Sequence, residues 1–169
     1  MSDKKEVKSW WKIPLFCIIA GWICFELEVR FLGRFAIVTL PDGSITSNNT
    51  YWMIMSAVLF AITLAVGGCL FFRKMTKKGL LFSASVMFVF GMICGILAQF
   101  SNNVYIMTFY SKIYTWCDIT TQILFKLNVN IWVSAVVLWA VPFLFVLFGK
   151  NESLLQKVDE ETVETVERD

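Results

Sequence analysis

The chain lacks histidine altogether, has only three prolines, and none of its five cysteines stands in a C-x-x-C pair. Without histidine there is no His-based metal site, no His-ligated haem, and no Ser-His or Cys-His nucleophile. Without paired thiols, a membrane thiol oxidase or quinone-linked disulfide enzyme is disfavoured. Cys17, Cys69 and Cys94 read as small buried hydrophobes, whereas Cys24 and Cys117 could meet near one face and pair. No glycine-rich phosphate loop follows a strand, and no basic-aromatic surface points to nucleic acid. No metal or cofactor is expected.

Charge is scarce as well, at 17% of residues against 57% hydrophobic, with sixteen phenylalanines and a mean hydropathy of +0.67. Three uncharged windows explain these values: Tyr51 to Phe72, Gly79 to Ser111, and Leu127 to Gly149. Each reaches the ~20 apolar residues that a membrane-crossing helix needs. A weaker window runs from Trp10 or Trp11 to about Val29 and is uncharged only from Ile13 to Phe25. A cleaved signal peptide is the competing reading, but no small-x-small site follows the apolar run. Four spans are therefore expected, the first one retained.

The few charges are unevenly placed. Lys4, Lys5, Lys8 and Lys12 precede the first span, Arg73, Lys74, Lys77 and Lys78 fill the turn after the second, and Lys150 follows the last. The positive-inside rule puts both termini and that turn in the cytoplasm of a multi-pass cell-membrane protein.

Between the first and second spans, residues 35–50 contain Pro41-Asp42-Gly43 between β-prone runs, which predicts a short hairpin loop. Asn48 formally heads a glycosylation sequon, of consequence only in a eukaryotic secretory pathway. In residues 104–126, Tyr105, Phe109, Ile113, Trp116, Thr120, Ile123 and Leu127 make an apolar stripe, and Ser111, Thr115, Asp118, Gln122 and Lys126 a polar one. That pattern predicts one amphipathic helix on the outer surface rather than a fifth span. The expected fold is thus an all-α membrane protein in residues 1–149, four helices under an extracytoplasmic cap of hairpin plus amphipathic helix. Pro142 is expected to kink the last helix. Residues 150–169, with three basic and seven acidic side chains, read as an acidic cytoplasmic tail, with a partner-binding helix as the sharper alternative.

Candidate functional residues follow from what is unusual in such a chain. Glu26, Arg30 and Arg34 step by four along the end of the first span, a charged stripe beside Gly33. Ionisable groups at membrane depth default to a site, although arginines near the surface can also snorkel to lipid phosphates. Asp118 is expected to join that stripe. Glu26 and Glu28 point about 200 degrees apart on a helix and cannot share one substrate, which argues against a paired-carboxylate enzyme. Ala57, Ala61 and Ala65 form one smooth small-residue face for close helix contact, and Gly91 and Gly95 a small-x-x-x-small pair that suits internal packing more readily than contact between copies.

With spans nearly bare of polar groups and an outer segment larger than a simple solute path needs, the leading expectation is a non-catalytic subunit. It would bind another membrane or envelope protein, or a second copy, within the lipid bilayer. The alternative is a small-solute or ion transporter or channel using Glu26 with Arg30 and Arg34. An enzyme acting on lipid at the outer face rests only on those same charges.

Overall fold

A computed structural model describes residues 10–101 and 103–151. The N-terminal lysines before Trp10 and the acidic tail beyond Asn151 lie outside the described residues. The chain is mostly helical, with one two-stranded antiparallel sheet. Helix α1 (Lys12–Leu27) continues through a π turn (Glu28–Leu32) into the short α2 (Gly33–Ala36). Strands β1 (Ile37–Thr39) and β2 (Ile45–Ser47) follow, then α3 (Asn49–Val66) with a π segment (Gly67–Phe72), and α4 (Lys77–Phe100). Next come α5 (Val104–Tyr114), a 3-10 turn (Thr115–Cys117), α6 (Asp118–Lys126), and α7 (Ile131–Ala140), which tightens into 3-10 helix (Val141–Phe148).

Side-chain caps start the helices where the sequence supplies them. Asn48 accepts from Tyr51 N–H, Thr76 from Gly79 N–H, Asn103 from Tyr105 N–H and Asn130 from Trp132 N–H, each satisfying an orphan donor. Pro14 sits in the first turn of α1, where its missing N–H costs nothing. Pro142 occupies the start of the 3-10 segment, so the helix changes pitch at the residue expected to kink it. The hairpin pairs Ile37 with Ser47, Val38 with Thr46 and Thr39 with Ile45. Gly43 takes a φ of +80° in its turn, a conformation that only glycine adopts freely, and the Asp42 carboxylate accepts from Ser44 N–H and Oγ–H. Those bonds hold Asp42 below the usual carboxylate range.

Three helical stretches are long and apolar enough to cross a membrane: Asn49–Phe72, Lys77–Phe100 and Ile131–Phe148. The first helix, expected as a fourth, is not among them. Its regular α portion ends at Leu27, and the turns beyond carry Glu28, Arg30 and Arg34. One end of the bundle bears the hairpin. The other bears Lys12, Arg73, Lys77 and Lys150, and is tied by Lys77 N–H to Lys150 O (3.0 Å) and Lys150 N–H to Met75 O (2.9 Å).

The segment 104–126 departs from expectation. Instead of one surface helix it is a helix-break-helix wedge that enters the bundle from the hairpin end and returns to it. α5 packs on α1 and α4, α6 on α3 and α7, and the break lies against α1 and α3. Trp116 in the break is fully buried, stacked between Phe60 (5.9 Å) and Phe145 (5.7 Å). Local chemistry explains the break. Thr115 Oγ1 donates back to Ser111 O (2.8 Å) and Cys117 Sγ to Tyr114 O (3.3 Å), occupying carbonyls that a continuing helix would use. Asn128, at φ 52°, then ends α6 in the left-handed conformation common after helices.

Irregular backbone between apolar helices is tolerated where protein covers it, as here. The wedge also turns the expected amphipathicity partly inside out. Tyr105, Phe109, Ile123 and Leu127 of the apolar stripe are exposed, while Thr115 of the polar stripe is buried. Exposing apolar side chains costs nothing when the solvent is hydrocarbon, whereas a polar group there needs a partner from the protein.

Small residues make room for this. A Cβ at Gly21 would overlap the carbonyl oxygens of Lys112 and Ile113, one at Gly91 the Tyr114 hydroxyl, and one at Gly95 the Trp139 ring. The Gly91/Gly95 face therefore packs within the chain. Ala57, Ala61 and Ala65 do not: all three are exposed on the side of α3 facing away from the bundle.

Candidate functional site

Two charged or polar groupings lie at the hairpin end, on opposite sides of α1. The first holds the expected stripe in part. Arg30 Nε donates to Glu26 Oε2 at 2.6 Å, one helical turn apart. Lys112 of α5 reaches the other Glu26 oxygen at 3.9 Å, and its ammonium sits 4.5 Å from the centre of the Trp22 ring and 4.7 Å from that of Phe25. Lys112, overlooked in the sequence because it lies in neither stripe, replaces Asp118 as the partner from the wedge. Arg34 does not join: it is exposed and has no ion pair among the described residues. The π turn between Glu28 and Leu32 adds residues to the helical repeat, so a four-residue step beyond Arg30 no longer stays on one face.

The second grouping is buried. Glu28, two residues from Glu26 and on the other side of the helix, is 8% exposed. Its carboxyl group lies near Ser56 of α3 and within electrostatic reach of Asp118 of α6. Gln122, one turn beyond Asp118, donates from Nε2 to Ser56 Oγ at 3.0 Å and to Asp118 Oδ2 at 2.7 Å. The bonds thus run from Asp118 through Gln122 to Ser56, which lies near Glu28, so three elements distant in sequence meet here. One Glu28 oxygen, Oε1, has no hydrogen-bond partner among the described residues. A turn deeper, Cys24 Sγ and Thr63 Oγ1 are 3.7 Å apart across α1 and α3. The five cysteines are free, and Cys24 and Cys117 each bond elsewhere.

The arrangement offers two carboxylates and a hydroxyl, all hard oxygen donors inside an apolar bundle, with the Gln122 amide nitrogen turned toward two of them. Such a set suits a small cation or a hydrogen-bond-donating cationic group. No group of three or more Cys, Asp or Glu side chains with metal-binding geometry occurs among the described residues. Of the residues singled out in the sequence, Asp118 belongs here, while Glu26 and Arg30 belong to the exposed grouping. Glu28, Ser56 and Gln122 were not singled out as a site. Their signal was faint but present: Asp118 and Gln122 are spaced one turn apart, and Ser56 is a polar residue in an apolar span. No known protein family, curated protein or solved structure matches this chain.

Proposed function

We propose that the chain is a cell-membrane protein crossing the bilayer four times, with both termini in the cytoplasm. Its wedge re-enters from the outer side and, with the hairpin, forms the extracytoplasmic cap. On this reading it binds and passes a small cation or cationic solute, the transporter or channel alternative moved from Glu26, Arg30 and Arg34 to Glu28 and Asp118.

The observation that carries this reading is the buried Glu28 carboxyl group, with one oxygen unbonded among the described residues, within electrostatic reach of a second carboxylate. An ionisable group inside a membrane bundle is costly to keep and marks a site by default. The objection that the spans are nearly bare of polar groups loses its force, since the wedge brings Asp118 and Gln122 in from outside them. Orientation rests on the basic residues around Lys12 and Arg73, and the first crossing on the continuous helical course from Lys12 to Ala36.

Reconstituted protein, assayed for sodium and proton flux into liposomes, tests this. Flux should be lost in Glu28→Gln and Asp118→Asn and kept in Glu26→Gln. Flux in none of the proteins, including wild type, sinks the reading.

A second reading keeps the chain as a non-catalytic subunit for a membrane-protein partner or a second copy. It is favoured by Ala57, Ala61 and Ala65, a smooth face that the bundle leaves open. Crosslinking in native membranes from cysteines placed at Ala57 and Ala61 should then capture one defined partner. Recovery of the monomer alone would count against it.

A further inference from the structure

The wedge has a second side. Facing away from Glu28, between α4, α5, α6 and α7, lies a cavity of about 310 Å³. Its walls carry Trp132, Trp139, Tyr110 and Phe125, and its polar groups include Thr121 and Gln99. No charged side chain lines it. Trp139 Nε1 donates to Tyr110 Oη at 2.8 Å, so the phenol oxygen is engaged while its own proton finds no acceptor among the described residues. The side chains of Thr121 and Gln99 likewise make no hydrogen bond among the described residues.

We propose that this cavity binds a small uncharged aromatic molecule bearing one hydrogen-bonding group, held by ring stacking and by the Tyr110 hydroxyl. Three features define that class. A cavity of ~150 Å³ is enough for benzene, so this one admits a substituted or fused ring. Four aromatic side chains offer faces and edges to a ring, the arrangement aromatic pairs prefer. The absence of any charged partner makes burying an ionised ligand costly, which excludes carboxylates and ammonium compounds. The site shares no residue with the Glu28 grouping and stands whether or not that grouping carries ions.

The test uses the full chain in lipid nanodiscs, titrated calorimetrically with p-cresol, toluene and 4-methylbenzoate, with empty nanodiscs subtracted. One saturable site is expected for p-cresol, weaker binding for toluene, and none for 4-methylbenzoate. Ala135→Phe fills the cavity and should abolish p-cresol binding; Thr121→Leu, which fills it from another wall, serves should Ala135→Phe not fold. Tyr110→Phe should weaken p-cresol about two- to tenfold, the worth of one hydrogen bond, and leave toluene unchanged. A merely structural role for Tyr110 would move both ligands equally. Equal binding of 4-methylbenzoate, p-cresol binding that survives both filled variants, or a tightly held lipid chain blocking the site would each overturn the proposal.

Discussion

Gly21 of α1 and Ile113 of α5 meet backbone to backbone: the Ile113 carbonyl lies where a side chain at position 21 would start. The neighbour is main chain, which cannot rotate away, so the wedge can enter only past a glycine. Gly21→Ala should therefore cost more than the ~1–3 kcal/mol of ordinary overpacking, and Gly21→Leu should prevent the wedge from seating. Thermal melting in detergent measures the first. Protease sensitivity of the 103–130 segment measures the second. A Gly21→Ala protein that melts like wild type would refute the backbone contact.

Tyr114 offers the opposite case. Its hydroxyl is buried against Gly91 with no hydrogen-bond partner among the described residues. Removing an unsatisfied buried polar atom relieves a penalty of ~1–3 kcal/mol. Tyr114→Phe should accordingly be neutral or stabilising, and it should soften the damage done by Gly91→Ala. A double-mutant cycle on melting temperature checks both points, and a strongly destabilising Tyr114→Phe would reveal a partner for the hydroxyl.

The exposed ion pair should matter little. Arg30 is 71% exposed at its side chain, so Arg30→Ala should cost at most about 1 kcal/mol, and Arg34→Lys should leave stability unchanged. Of the two readings the stripe allows in the sequence, this is the surface one; a buried, mutually paired Arg30 would instead cost about 3–5 kcal/mol to remove. Chemical denaturation in mixed micelles decides between the two magnitudes.

Gln122 should matter more than either arginine. Its one amide nitrogen bonds both Ser56 and Asp118, so Gln122→Leu strips two partners at once. A loss of about 1–3 kcal/mol is expected from the groups left unpaired. Ser56→Ala, which removes one of those two partners, should have less effect in the Gln122→Leu background than in wild type. Additive effects would mean that the two residues do not act through one network.

Orientation is tested on a protein without its native cysteines, since Cys69 is exposed and would label. A single cysteine at Asp42 should react with a membrane-impermeant reagent from outside intact cells. One at Lys77 should react only after permeabilisation. The reverse pattern would invert the protein.

Several features were legible from local chemistry. The apolar windows marked the three long helices, because a stretch of that length without charge has few other uses. Pro41-Asp42-Gly43 marked the hairpin turn, because its Gly43 needs a positive φ. Gly91 and Gly95 marked an internal contact, though not the Tyr114 and Trp139 side chains that fill it.

The wedge and the buried carboxyl cluster were not legible, for a physical reason. Periodicity assigns an amphipathic segment a wet side and a dry side, and so it laid residues 104–126 on the surface. In a membrane bundle the hydrocarbon accepts the apolar side and the protein interior accepts the polar one. Whether such a segment lies flat or enters depends on Gly21 and Gly91 opening space opposite Ile113 and Tyr114, a match between residues far apart in the chain. The π turn after Leu27, likewise invisible to four-residue counting, breaks the line from Glu26 and Arg30 to Arg34, while Glu28 faces Ser56 and Asp118. The sequence by itself determined the three helices long and apolar enough to cross a membrane and the hairpin turn, each set by neighbouring residues. Only the tertiary structure decided which carboxylates meet, since that depends on how three distant elements pack.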